Sequence, residues 1–264
     1  NKTVKSSDRT LPVKKNIDMT NWLCFYEKSN YNDAENLYNN LSKASKAFKF
    51  KIAEPEWIEM PNKSSAKDWT DTAEEYIGNG KNDYKFVVFL LDRNDYIYAA
   101  LKKHSLVKNG YVSQVVKATS IRKKGVMSVC SKILLQINAK LGGISYEAKF
   151  GPEVNERDIM VIGVDSSHIK GKRTGVAMVA SVNKTFTDFF NKENIIEETK
   201  KEQLSHCVSV FVEEAASAYS KKNNKSPKNI IIYRQGVSLQ QKEFLKTEIQ
   251  QIEKVCATKK INFY

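Results

Sequence analysis

The chain has 264 residues, 41% of them hydrophobic and 28% charged, proportions ordinary for a folded globular protein and long enough for two domains. No run of about 18 or more apolar residues occurs, which argues against a transmembrane helix. A net charge of +13 points to a polyanionic partner, nucleic acid ahead of an acidic membrane surface.

The start, Asn1-Lys2-Thr3-Val4-Lys5, has no signal-peptide core and no Met, as expected of a fragment or processed chain. Residues 1–19 are polar and basic and read as a linker or tail. Asn21–Tyr26 reads as a buried strand and Asp33–Phe48 as an amphipathic helix, with Ala34, Leu37, Leu41, Ala44 and Ala47 at helical spacing. Ile52–Met60 is a weaker strand broken by Pro55, and Asp68–Ile77 a short helix closed by Gly78-Asn79-Gly80. Tyr84–Leu91 is apolar on both faces, as a central parallel strand should be. A helix Asn94–Val107, a strand-like run Ser113-Gln114-Val115-Val116 and a helix Val126–Lys140 come next, with Gly142-Gly143 as a left-handed stop. Strands alternating with helices predict a parallel α/β sheet.

The pattern changes near Phe150-Gly151-Pro152-Glu153, which predicts a domain boundary. Asp158–Asp165 reads as a buried strand ending in a carboxylate, with Gly175–Val182 and Lys184–Phe190 as antiparallel partners. A helix at about 200–222, strand Asn229–Tyr233, helix Ser238–Cys256 and a strand beginning at Ile261 complete the order of an RNase H-like core. The four cysteines (Cys24, Cys130, Cys207, Cys256) lie far apart without metal-ligand spacing, which fits free thiols in a reducing, intracellular compartment.

Two stretches carry candidate chemistry. Tyr98 and Lys102 stand one helical turn apart, pairing an aromatic face with an ammonium, the two things a terminal nucleotide needs. Gln114 can donate to phosphate oxygens and Lys140 adds a second charge, although a lysine at a helix C-terminus is also favourable for the macrodipole alone. Asp165 at a strand end is a candidate Mg²⁺ ligand, but two-metal chemistry needs several convergent carboxylates. No nucleophile elbow, Walker loop or zinc-protease motif is present.

Several segments, in this order, resemble the Argonaute/Piwi family across residues 20–264. They are Asn21-Trp22-Leu23 with Tyr26, Tyr98–Lys103, Ser113–Val116, Lys132–Gly143, Val161–Asp165 and Ile230–Ser238. Gln136, where the other branch usually has lysine, points to the Piwi branch. The resemblance implies a Rossmann-like MID domain (20–150) followed by an RNase H-like PIWI domain (151–264) whose C-terminal part is absent. It implies that Tyr98 stacks on the first base of a single-stranded guide RNA while Lys102, Gln114 and Lys140 hold its 5′ phosphate. It further implies Mg²⁺ near Gln136, and an approach of Arg93 and Asn94 to the base. A complementary target RNA, protein partners, no membrane association, and residence in cytoplasm or nucleus are the corresponding expectations.

The departures concern cleavage. Of the family's acidic set, Asp165 matches the first member. The signature Tyr-Arg-Asp-Gly-Val of cutting members reads Tyr233-Arg234-Gln235-Gly236-Val237, and the glutamate position falls on Gln203. The fourth ligand would lie past Tyr264. A neutral amide oxygen replaces a carboxylate poorly where phosphate already crowds two Mg²⁺ ions. Glu202 could substitute if the correspondence shifts by one residue, but the expectation is an RNA-binding protein without slicing activity.

Overall fold

In a computed structural model of the chain, residues 13–78, 83–92, 94–155, 157–169, 173–197, 201–234 and 242–264 are described. The chain forms two compact units, Asn1–Tyr146 and Glu147–Tyr264.

The first unit is built on four parallel strands, β1 (Trp22–Glu27), β2 (Glu56–Met60), β3 (Phe86–Leu91) and β4 (Ser113–Lys117), in the order β2-β1-β3-β4. The two-residue period of a strand sorts its side chains between two cores. Trp22, Cys24 and Tyr26 of β1 and Phe86, Val88 and Leu90 of β3 enter one; Leu23 and Phe25 with Val87, Phe89 and Leu91 enter the other. Helices α1 (Tyr31–Phe48) and α5 (Val126–Lys140), with the short α4 (Ala118–Ile121), close the first core. Helices α2 (Ala66–Ile77) and α3 (Asp95–Lys103) close the second. Coverage of both faces is why β1 and β3 read as unbroken apolar runs. This is the Rossmann-like layering expected, and it leaves β4 as an edge strand between α3, which precedes it, and α5, which follows it after the short α4.

Local signals explain the helix ends. Ser65 and Asp68 form a reciprocal capping box at α2. Asn94 caps α3, its Oδ1 accepting from the N–H groups of Tyr96 and Ile97, each at 3.1 Å. After Lys140 the chain turns through Gly142 at φ +86°, and Gly143 N–H donates to Asn138 O at 2.8 Å. The predicted helix Asn94–Val107 needs one correction: the α-helix stops at Lys103 and continues as a π-helical turn, His104–Lys108. β2 is likewise shorter than predicted, starting after Pro55.

The second unit holds a five-stranded mixed sheet, order β7-β6-β5-β8-β9. After the one-turn helix α6 (Pro152–Asn155), β5 (Ile159–Ile169), β6 (Arg173–Ser181) and β7 (Phe189–Glu197) run antiparallel. Helix α7 (Lys201–Asn223), β8 (Asn229–Arg234), α8 (Lys242–Lys259) and β9 (Asn262–Phe263) complete the unit, with β8 parallel to β5. Met160, Ile162, Val164, Val176, Met178 and Ala180 pack under Val208, Phe211, Val212 and Ala215 of α7, in the RNase H-like order. The third strand, expected at Lys184–Phe190, begins only at Phe189. Asn183 takes 183–188 into a turn by accepting from the Thr187 and Asp188 N–H groups, with Phe186 at φ +53°.

Among the described residues no helix is long and apolar enough to cross a membrane. All four cysteines are free thiols, and burial pushes Cys24 up to about 12.

Gly143 supplies a test of the packing beside the α5 end. A Cβ there would collide with Asn138 Oδ1, in an amide that is fully buried and bonded to Ile17 N–H and Lys15 O. Gly143→Ala is expected to lower unfolding stability by about 1–3 kcal/mol, the range for overpacking. A urea-unfolding midpoint equal to wild type would contradict this account of the turn.

Candidate functional site

The N-terminal end of β4 brings together the cations that sequence reasoning singles out. Lys102, near the end of α3, donates from Nζ to Ser113 Oγ at 3.0 Å and to Ser113 O at 3.3 Å. Lys140, the last residue of α5, donates to the same Ser113 O at 2.8 Å and to Gln114 Oε1 at 2.8 Å. Because an ammonium can only donate, Lys140 fixes which end of the Gln114 amide faces it. The other end, Nε2, then reaches Gln136 Oε1 at 3.3 Å and Val115 O at 3.2 Å. Gln114 is therefore a bridge between Lys140 and Gln136, held in place because it is only 8% exposed.

Two like charges meeting at one carbonyl oxygen are unfavourable unless an anion joins them. Burial pushes the Lys102 ammonium below the ordinary lysine value, and Lys140 is pushed down by burial first and by the charge of Lys102 second. Among the described residues neither lysine has a carboxylate partner within ion-pair distance. Each ammonium has three N–H donors, two of them used here on protein oxygens, so each keeps one for a ligand. Tyr98 lies one turn before Lys102 on α3 and is 48% exposed, which leaves a ring face available to a planar partner. The chemistry is that of an anion site with an aromatic neighbour.

For a divalent cation the same residues are a poor set. Their oxygens, on Ser113, Gln114 and Gln136, already accept hydrogen bonds, two ammoniums oppose further positive charge, and no carboxylate of the described residues belongs to the group. A cation fits here only together with an anion that brings oxygens of its own.

Of the remaining predicted residues, Asn94 uses its side chain as the α3 cap, and Arg93 lies outside the described residues. Asp165 is not at a strand end as expected. β5 runs on to Ile169, and Asp165 sits exposed in mid-strand opposite Ala177, its Oδ1 accepting from Ser166 N–H at 2.6 Å. Gln203 belongs to α7 by its backbone, and Gln235 lies outside the described residues. No group of three or more His, Cys, Asp or Glu among the described residues is placed to hold a metal ion.

Sequence reasoning misses Ser113, whose carbonyl and hydroxyl organise both lysines, and its neighbour Ser105. It reads His104 only as a helix residue, structural or exposed, and the structure decides for the first. That ring is buried at 5% exposure, with Nδ1 2.9 Å from Tyr111 OH and Nε2 2.7 Å from Glu74 Oε2. Only the i, i+1 pairing of Ser113 with Gln114 at a strand start could have signalled the first. Nothing in spacing places Glu74 against His104.

With this geometry established, comparison with known proteins is decisive. The Piwi domain matches residues 85–263. The chain belongs to the Argonaute/Piwi family. It is 30% identical over 259 residues to protein argonaute-3 of Drosophila melanogaster, covering 95% of this chain and 28% of that protein. It is 30% identical over 234 residues to Piwi-like protein 1 of Danio rerio, covering 87% of this chain and 26% of that protein. The chain thus spans roughly a quarter of the length of these Piwi relatives. The crystal structure of Drosophila Piwi shares the fold, with TM-score 0.81 and 20% identity over 96% of this chain and 34% of that one. So does Kluyveromyces polysporus Argonaute with a guide RNA, at TM-score 0.75 and 18% identity, covering 92% and 31%. Mixed α/β units of the MID and PIWI type are therefore the fold of this chain.

Glu74 offers a test of the scaffold around the site. Hydrogen bonds from Asn109, His104 and Lys108 hold its carboxyl down at about 2, against an ordinary 4.5. A depressed carboxyl stabilises the fold above its unfolded value and loses that contribution as pH falls from 4.5 towards 2. Wild-type stability should therefore fall more steeply over that window than that of Glu74→Gln. Parallel stability–pH curves from chemical unfolding would refute the assignment.

Proposed function

We propose that this chain anchors the 5′-phosphorylated end of a single-stranded guide RNA in its first unit and does not cut the paired target. The observation that carries the reading is the convergence of Lys102, Lys140 and the Gln114–Gln136 bridge at the head of β4, two cations with no described acidic partner. A terminal phosphate monoester carries close to two negative charges at neutral pH, the complement of two ammoniums. Its oxygens would take the N–H donors that the lysines keep free, and its charge would remove the repulsion between them. Tyr98 would stack on the first base, a contact indifferent to base identity. Family membership supports the ligand class, since solved relatives include an Argonaute with a guide RNA and another bound to a guide DNA and a target DNA. Mg²⁺ would enter this proposal only as a companion of the phosphate, with Gln136, whose Oε1 accepts from Gln114 Nε2, in the same cluster.

Loss of cutting rests on sequence. Amides stand at Gln203 and Gln235 where cutting members carry carboxylates, so Asp165 keeps only part of the negative charge that two Mg²⁺ ions need. The chain would act as an RNA-guided scaffold in silencing or RNA processing, its target and protein partners joining the loaded guide.

The test compares two RNA oligonucleotides of one sequence, 5′-phosphorylated and 5′-hydroxyl. Lys102→Ala and Lys140→Ala should each weaken the phosphorylated strand about 10- to 100-fold, the loss of a charge-assisted hydrogen bond, and barely affect the other. Tyr98→Ala should weaken both strands alike. Equal wild-type affinity for the two would sink the phosphate reading. Incubation with guide, complementary RNA and Mg²⁺ should leave the target intact; a single guide-directed cut would overturn the second half and point to Glu202.

A further inference from the structure

The π-helical turn at the end of α3 is built around one carboxylate. Glu74 of α2 accepts at the single atom Oε2 from His104 Nε2 at 2.7 Å, Asn109 Nδ2 at 2.9 Å and Lys108 Nζ at 3.1 Å. Tyr111 OH, 2.9 Å from His104 Nδ1, occupies the other ring nitrogen, so the buried imidazole has no free polar edge. Gly78 is packed onto the same carboxylate: a Cβ there would meet Glu74 Oε1 at 2.9 Å. A π-turn holds one residue more than an α-turn and rotates the residues after it by about 100° around the axis, so it persists only where something holds it. Glu74, spanning His104 to Asn109, is what holds this one.

What the turn presents to the site is Ser105. Its side chain is fully buried, and its hydroxyl donates to Lys102 O at 3.3 Å and accepts from Ser113 Oγ at 3.0 Å. Ser113 Oγ in turn accepts from Lys102 Nζ at 3.0 Å. The bonds close a ring that starts at the Lys102 ammonium and ends at the carbonyl of the same residue. A lysine side chain loses rotamer entropy when it is fixed, and here the loss precedes ligand binding. Neither serine carries charge, so neither can attract the ligand; they decide where the charge stands.

We propose that Ser105, set by the Glu74-clamped π-turn, is a positioning residue for the Lys102 ammonium and thereby sharpens selection for a 5′ phosphate over a 5′ hydroxyl. The inference rests on the phosphate reading above and extends it to residues that touch no ligand.

The experiment measures the ratio of dissociation constants for 5′-hydroxyl and 5′-phosphorylated RNA of one sequence, using the 264-residue chain. Ser105→Ala should reduce that ratio about tenfold, because Ser113 loses its acceptor and the ammonium its stop. Ser105→Cys should recover part of it, and Glu74→Gln, at a partly exposed site, should lower it several-fold with the fold kept. In a Lys102→Ala background Ser105→Ala should have no further effect, since a residue acting through Lys102 has nothing left to position. A full ratio in both Ser105→Ala and Glu74→Gln would overturn the proposal, as would an equal Ser105→Ala effect with Lys102 already removed. Should Ser105→Ala not fold, Ser105→Cys and Glu74→Gln decide it by the same measure. A wild-type ratio near one would remove the phosphate reading itself, and this inference with it.

Discussion

Two ammoniums on one carbonyl oxygen are the constraint from which the first unit is best understood. Lys102 and Lys140 come from helices on opposite faces of the sheet, and both reach Ser113 at the edge strand. Such an arrangement weakens the apo protein, because desolvation and mutual repulsion both oppose the charged forms. A fold keeps like charges together only where surrounding bonds over-determine them, and here the Ser113 carbonyl, the Gln114 amide and the Ser105–Ser113 relay do so. Under the proposed function the unfavourable term would be relieved by the anion, which would make it a differential contribution to binding.

The parallel sheet is what allows this. Parallel strands place the chain's crossovers on both faces, so a helix before β4 and a helix after it can meet at one strand end. Because β4 is the edge strand, its outer side is open to side chains instead of another strand. The site therefore depends on the order β2-β1-β3-β4 as much as on residue identity.

Much of this is legible in the sequence. Unbroken apolar runs such as Phe86–Leu91 announce a sheet covered on both sides, and the C-terminal end of α5 is marked by Gly142-Gly143. Tyr98, Lys102, Gln114 and Lys140 stand out by their order and spacing together with the family likeness, and the last three meet. Three things are not legible, each for a physical reason. The π-turn depends on Glu74, some thirty residues earlier, and local periodicity cannot see a tertiary clamp. The start of β7 depends on the Asn183 side chain, which outcompetes strand pairing over 183–188. The position of Asp165 within β5 depends on pairing with β6 that outruns the apolar stretch, polar residues such as Ser166 and Ser167 being carried along by the ladder.

As proposed, the lysine pair is a frustrated cluster of cations that a terminal phosphate completes. NMR titration of the Lys102 and Lys140 ammonium groups, alone and with a 5′-phosphorylated nucleotide, tests it most directly. Both should titrate below ordinary lysine in the free protein, Lys140 aided by the charge of Lys102, and both should rise when the phosphate binds. Ordinary values in the free protein, or values unmoved by the phosphorylated ligand, would contradict it.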